Sequence, residues 1–245
     1  MTASCQADVT ASRMPKVSVV IPALNEEEVI ERTVLAVPRS VASEIVVVDN
    51  GSSDRTAEAA LKAGARVVKE PVRGYGRACL AGTNAVSEDC EIIVLMDADL
   101  SDDPSEMEFL IRPIVEGECD FVLGSRMLGQ REKGSMTSAQ ILGSRLTSLM
   151  IKILYGVHYT DMGPFRAIRR KTLTSLNMSQ LTYGWSIEMQ VKAASRGIRM
   201  KEIPVRWRNR VAGQSKVAGT ILGSLKAGAR ILYTIFLVAS GEMKG

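Results

Sequence analysis

Short apolar runs alternate with polar segments of helical period through the first half of the chain. Lys16-Val-Ser-Val-Val-Ile21, Glu44-Ile-Val-Val-Val48, Arg66-Val-Val-Lys69 and Glu91-Ile-Ile-Val-Leu-Met96 are too short and too β-branched for helices and read as strands. Between them, Val29, Ile30, Val34 and Leu35 form an apolar stripe, and helices are predicted over Arg55–Ala63 and near Ala78–Val86. Asn25 reads as the N-cap of the first of these and Asp54 as that of the second. Strands alternating with helices predict βαβ units and a mostly parallel sheet. In the second half a helix is predicted over Met136–Tyr155, with a wide apolar face of Ile141, Leu142, Leu146, Leu149, Met150, Ile153 and Leu154. Another starts just before Glu188 and runs to about Ser195. Val205-Arg-Trp-Arg-Asn-Arg210 reads as a strand whose period of two puts Arg206, Arg208 and Arg210 on one face. From Val217 to Ala239, apolar residues recur at three and four, interrupted in charge only by Lys226 and Arg230. The two apolar helices fit packing on the sheet or lying in a membrane interface.

Polar motifs follow the strands, where an open α/β sheet binds its ligands. The run Glu91–Met96 ends in Asp97-Ala98-Asp99, with Asp102 and Asp103 just beyond. Two carboxylates at a strand end repel one another unless a cation lies between them. Hard oxygen ligands suit Mg²⁺ or Mn²⁺, completed by the phosphates of a substrate. On this pattern alone a solvated acidic turn stays open as well. Asp49-Asn-Gly-Ser-Ser-Asp54 is a turn sequence, and Arg73-Gly-Tyr-Gly-Arg77 is a basic Gly-rich loop opening a helix.

Pro22-Ala-Leu-Asn-Glu-Glu27, Asp49-Asn-Gly-Ser-Ser-Asp54, Arg73-Gly-Tyr-Gly76 and Asp97-Ala-Asp99, in this order, resemble the family-2 glycosyltransferases of the GT-A fold. The branch they resemble is that of the polyprenyl- and dolichyl-phosphate mannose or glucose synthases. Gly124-Ser-Arg126, Asp161-Met-Gly-Pro-Phe-Arg166, Gly184-Trp-Ser-Ile-Glu188 and Gly213-Gln-Ser-Lys216 extend the resemblance, which runs from about Lys16 to about Thr220. Each motif is common by itself; their joint order and spacing carry the likeness.

The resemblance implies a single α/β domain over residues 15–216, an unstructured arm at 1–14 and an amphipathic helix and tail at 217–245. It implies metal-dependent, inverting transfer of a hexose from a UDP- or GDP-linked sugar to a polyprenyl phosphate. Pro22, Ala23, Asn25 and Glu26 would line base and ribose, Asp49 would hydrogen-bond the base, and Ala98 would lie against the donor. Asp99 would hold the metal, with Asp97 on the metal or the ribose. Relatives often carry Gln two residues after the second Asp; here Ser101 stands there as the third-ligand candidate. Arg126, Arg210 and Lys216 would position the phosphate groups. Arg73 either meets the diphosphate or solvates its loop. A lipid phosphate is already anionic and needs no base, whereas a hydroxyl acceptor does; Glu188 is the candidate base for that case.

The chain has 245 residues, 46% of them apolar, with a net charge of +4. That supports one substantial core and gives no sign of a nucleic-acid binder, since no basic stripe is interleaved with aromatics. Cys5, Cys79, Cys90 and Cys119 share no ligand or redox spacing, which fits a reducing, cytoplasmic setting. No stretch of twenty apolar residues spans a bilayer, so the expected location is cytoplasmic, peripheral to the membrane at most. Oligomeric state is not encoded in any pattern. The rival with the same donor chemistry is transfer to a hydroxyl of a soluble or glycan acceptor. Nucleotidyltransferases place a basic Gly-rich loop after the first strand, where this chain has acidic Pro22–Glu27. A non-catalytic sugar-binding relic is disfavoured by the intact Asp97 and Asp99.

Overall fold

The computed structural model describes residues 14–212. The predicted N-terminal arm up to residue 13, Cys5, Lys216 and the predicted helix 217–239 lie outside the described residues.

Seven strands form one sheet among the described residues: β1 (Val17–Ala23), β2 (Glu44–Asp49), β3 (Arg66–Lys69), β4 (Ile92–Leu95), β5 (Phe121–Ser125), β6 (Arg166–Arg169) and β7 (Met200–Pro204). Their order is β3-β2-β1-β4-β6-β5-β7. All neighbours pair in parallel except β6, which runs antiparallel to both β4 and β5. The first four strands follow the predicted runs: β1, β2 and β4 are buried along most or all of their length, while β3 is the half-exposed edge strand. Helices α1 (Ile30–Ala36), α2 (Thr56–Lys62) and α4 (Met107–Val115) cover one face. On the other lie α3 (Tyr75–Ala85), α6 (Arg170–Leu176) and α7 (Trp185–Ser195). Helix α5 (Ser138–Tyr155) packs on α7 at the margin. Cys79, Cys90 and Cys119 are buried free thiols within these layers. No helix among the described residues is long and apolar enough to cross a membrane.

Two local expectations are corrected. Asn25 does not cap α1. It adopts a left-handed conformation (φ 52°), its Oδ1 accepts from the Ser53 N–H at 2.8 Å, and α1 begins five residues later. An Asn tolerates that conformation well, so the residue serves the loop between β1 and α1 rather than the helix. The predicted strand 205–210 is displaced: the last ladder strand is Met200–Pro204, paired with β5. Beyond Pro204 the partner strand has ended at Ser125, and Trp207 makes only isolated bridges to Asp102 and Arg131. Asp54 does serve the start of α2, accepting from the Thr56 N–H at 3.0 Å.

Strand order reverses between β1 and β4, whose onward connections run toward opposite edges of the sheet. The crevice outside the carboxyl ends of strands at such a reversal is the binding position of open α/β sheets. The sheet is held close to α3 by Gly82, where an added Cβ would lie 2.4 Å from Val20 Cγ1 and 2.8 Å from Val48 Cγ2. Gly143 on α5 has open space around it. Gly82→Leu is therefore expected to lower unfolding free energy by about 2 kcal/mol or more through overpacking. Gly143→Ala is expected to raise it by about 0.5–1 kcal/mol through helix propensity. Urea titrations of both variants check the opposite signs.

Candidate active site at the β1–β4 reversal

A cavity of about 930 Å³ opens at the carboxyl ends of β1 and β4. Pro22 and Ala23 from the end of β1 line it, with Glu26 from the following turn. Asp97, Ala98, Asp99 and Ser101 line it from the turn after β4. Arg73, Arg126 and Arg210 reach it from three separate segments. Of the residues put forward from sequence, Asn25, Asp49 and Glu188 do not line it. Asp49 Oδ1 accepts from the Ser52 N–H at 3.0 Å and closes its own turn.

The turn after β4 is wound tightly. Leu100 is left-handed (φ 60°), which brings Asp102 back beneath Asp97, so that the Asp97 N–H donates to Asp102 Oδ2 at 3.0 Å. Asp99 Oδ1 accepts from the Ser101 N–H at 2.9 Å and from the Ser101 hydroxyl. Ser101 thus orients Asp99. Burial, reinforced by the charge of Asp99, pushes the Asp97 carboxyl up to about 7. Burial and the charge of Asp97 push Asp102 well above the carboxylate range. Asp102 Oδ1 is buried with no hydrogen-bond partner.

Cations answer this concentration of acid. Arg210 Nη2 lies 2.8 Å from Asp99 Oδ2 and its Nη1 3.1 Å from Glu26 Oε1. Arg126 follows β5 and is clamped by Asp161, with Nε to Oδ2 at 2.7 Å and Nη2 to Oδ1 at 2.8 Å. Its guanidinium also lies 4.8 Å from the Trp207 ring centroid. Burial pushes Asp161 up, but the hydrogen bonds and charge of Arg126 outweigh it and hold Asp161 below its ordinary value. The segment after β7 lies across the acidic turn. Arg208 N–H donates to Ser101 O at 2.9 Å, and Arg208 and Arg206 both pair with Asp103.

Glu188 requires a correction. It is fully buried on α7, and its oxygens accept from the Ser179 N–H and hydroxyl and from the Gln180 N–H, while Lys192 Nζ lies 2.9 Å away. It faces inward because the segment 177–183 wraps over the first turn of α7 and donates the Ser179 and Gln180 backbone N–H groups to it. That segment presses on the start of α3. Arg77 N–H donates to Leu181 O, and a Cβ at Gly76 would lie 2.1 Å from Gln180 O. Tyr75 and Tyr183 stack there at 6.4 Å and both line the cavity.

Several cavity residues escaped the sequence reading: Asn50, Tyr75, Thr182, Tyr183 and Trp207. Asn50 sits in the Asp-Asn-Gly turn. Its amide donates to Glu70 O and Val72 O and its Oδ1 accepts from Gly74 N–H at 2.7 Å, so it shapes the basic loop. The turn motif was the signal for Asn50 and the Arg-Gly-Tyr-Gly run that for Tyr75.

The model of glycosyl transferase family 2 matches residues 18–176. The chain belongs to that family. An uncharacterised glycosyltransferase of Mycobacterium tuberculosis is 34% identical over 213 residues, 86% of this chain and 94% of the relative. A dolichyl-phosphate hexose transferase of Haloferax volcanii is 33% identical, covering 82% and 86%, and an undecaprenyl-phosphate mannosyltransferase of Micrococcus luteus 29%, covering 85% and 90%. Among solved structures, glucosyl-3-phosphoglycerate synthase of Mycobacterium tuberculosis, in complex with Mn²⁺, UDP-glucose and phosphoglyceric acid, is similar at a TM-score of 0.75 and 25% identity. That likeness covers 93% of this chain and 80% of the synthase. The chain is a GT-A hexosyltransferase, and the fold and enzyme class expected from sequence both hold.

Glu188→Gln tests the structural assignment. It leaves buried Lys192 without its counter-charge, so a loss of about 3 kcal/mol or more in unfolding free energy is expected. The pH–rate profile of the remaining folded enzyme is expected to keep its shape. Loss of a pH limb with unchanged melting temperature would return Glu188 to the chemistry.

Proposed function

We propose that this enzyme transfers a hexose, with inversion, from a UDP- or GDP-linked sugar to a polyprenyl phosphate at the cytoplasmic membrane face. The observation that carries the choice of acceptor is the burial of Glu188. The acid put forward as a base for a hydroxyl acceptor is committed to Ser179, Gln180 and Lys192 outside the cavity. A phosphate monoester needs no base, because it is anionic near neutral pH and attacks the anomeric carbon directly. The named functions of the Haloferax and Micrococcus relatives support the same reading.

The residues present fit a divalent cation. Among the described residues no three His, Cys, Asp or Glu side chains are disposed to hold a metal by themselves, and the acidic turn offers one or two carboxylates to the cavity, as Mg²⁺ or Mn²⁺ sites completed by substrate phosphates require. Asp97 and Asp99 would hold it. Burial first, and the charge of Asp99 second, disfavour an ionised Asp97, and a cation between the two carboxylates would offset both. When bound, the metal supplies Lewis-acid stabilisation of the departing nucleoside diphosphate.

The chain's own residues divide the rest of the work. Pro22, Ala23 and Glu26 form the nucleotide side, joined by Ala98 and by Asn50, which holds the 70–74 loop in place. Arg73 stands at the exposed mouth for the diphosphate. Arg210 spans Glu26 and Asp99, so it lies between the nucleotide side and the acidic turn and is placed to meet the charge that develops on the departing diphosphate. Arg126, fixed by Asp161, presents a pre-oriented cation on the far side for the acceptor phosphate. Lys216, outside the described residues, is proposed as a further phosphate contact.

A second reading, transfer to a soluble hydroxyl acceptor, is favoured by the phosphoglyceric acid complex of the similar synthase. Supplying UDP-glucose or GDP-mannose with Mn²⁺, and either a short-chain polyprenyl phosphate or 3-phosphoglycerate, separates the two. Product on the lipid phosphate alone is expected; product on phosphoglycerate alone overturns the proposal.

The metal is tested with the same assay. Asp99→Ala, and chelation by EDTA, are each expected to lower transfer by about a hundredfold or more with the fold retained by circular dichroism. Full activity after exhaustive chelation removes the metal from the mechanism.

A further inference from the structure

Helix α5 is amphipathic in the reverse of the usual sense. Its buried residues are Ser144, Thr147, Ser148 and Ile151, whereas Leu142, Leu146, Leu149 and Ile153 are 68%, 49%, 53% and 73% exposed. Spacing of four, three and four puts those large side chains on one face, and Leu154 beside them is 48% exposed. The inward face turns polar because it serves the cavity wall: Ser144 Oγ donates to Asp161 Oδ1, the carboxylate that clamps Arg126. A sheet-facing helix would do the opposite. A contiguous apolar face of this size on a soluble surface marks a contact site.

Charge decides what it contacts. From residue 133 to residue 160 the chain has no Asp or Glu, and Lys133, Arg145 and Lys152 are all exposed. A second copy of this face would set these cations against their own equivalents with no acid on the helix to pair them. The segment 213–245 carries Lys216, Lys226, Arg230 and Lys244 against Glu242 alone, so it too is mostly of the same sign. An anionic lipid surface satisfies both features, taking the leucines into its outer acyl region and the cations among its headgroups.

Position relates the face to the site. Thr137 and Gln140, at the start of α5, line the cavity that holds Asp97, Asp99 and Arg126. We infer that the leucine face of α5 seats the enzyme on an anionic bilayer, with the cavity mouth at the membrane surface. This rests on the polyprenyl-phosphate reading for its purpose, but not for its test. A lipid acceptor seated in that bilayer would then present its phosphate to the cavity while its hydrocarbon stays in the membrane.

The test is co-sedimentation of the full chain with phosphatidylcholine vesicles with and without phosphatidylglycerol. Leu146→Glu/Leu149→Glu is compared with Leu35→Glu/Leu61→Glu, a control at exposed leucines of α1 and α2. Because all four side chains are exposed, the variants are expected to fold, and circular dichroism melts confirm it. The expected result is binding to anionic vesicles that weakens with salt, falls about tenfold or more in the α5 variant, and is unchanged in the control. Transfer to a short, water-soluble polyprenyl phosphate is expected to stay at the wild-type rate in the α5 variant. Failure of the wild-type chain to bind any vesicle overturns the inference, as does equal binding by the α5 variant. So does a wild-type dimer that the α5 substitutions dissociate in sedimentation velocity, which would make the face a contact between copies. If vesicle binding and its loss are seen but no polyprenyl phosphate is ever glycosylated, the membrane face stands and the acceptor proposal fails.

Discussion

The structure depends on keeping Asp97, Asp99 and Asp102 together at the end of a buried strand. Burial alone pushes Asp97 and Asp102 up, and each acid makes the next one harder to ionise. An uncompensated buried charge costs several kcal/mol. The compensation comes from far along the chain. Arg210 reaches Asp99 from beyond β7, and Arg126 and Arg166 contribute favourable charge to Asp97 from the ends of β5 and β6. The antiparallel insertion of β6 between β4 and β5 brings those last two cations beside β4. Sheet topology and site electrostatics are thus one constraint: a purely parallel continuation would not deliver Arg166 there.

The cavity walls are held by polar contacts more than by apolar packing. Glu188 and Lys192 fix the 177–183 segment, and Asn50 fixes the 70–74 loop. The segment after β7 is tied down by Arg206 and Arg208 on Asp103 and by Trp207, whose indole donates to Ser135 O at 3.1 Å. Arg206 and Arg208 are substantially exposed, so these pairs are weak and screened by salt. The walls therefore differ in rigidity: the side next to α7 rests on a buried ion pair, and the side next to the acidic turn on exposed ones. The looser wall is the one that carries Arg210.

Much of this was legible before any coordinates. The four first strands, the alternation with helices and the acidic turn followed from β-branched runs and strand-end polarity, which are local properties. Pro22, Ala23, Glu26, Asp97, Asp99, Ser101, Arg73, Arg126 and Arg210 all reach one cavity, because motifs at carboxyl ends of parallel strands converge by topology.

What the tertiary structure decided was direction. Glu188 has the sequence context of a catalytic acid, yet backbone N–H groups nine residues away turned it inward. Asn25 has the composition of a helix cap, but contact with Ser53 across 28 residues made it a loop tie. The apolar stripe of α5 reads as a core face by periodicity alone, and only its packing against Asp161 and α7 shows that the serines go in and the leucines out. Periodicity fixes which residues share a face of a helix. It cannot say which face meets the protein, because that depends on partners distant in the chain.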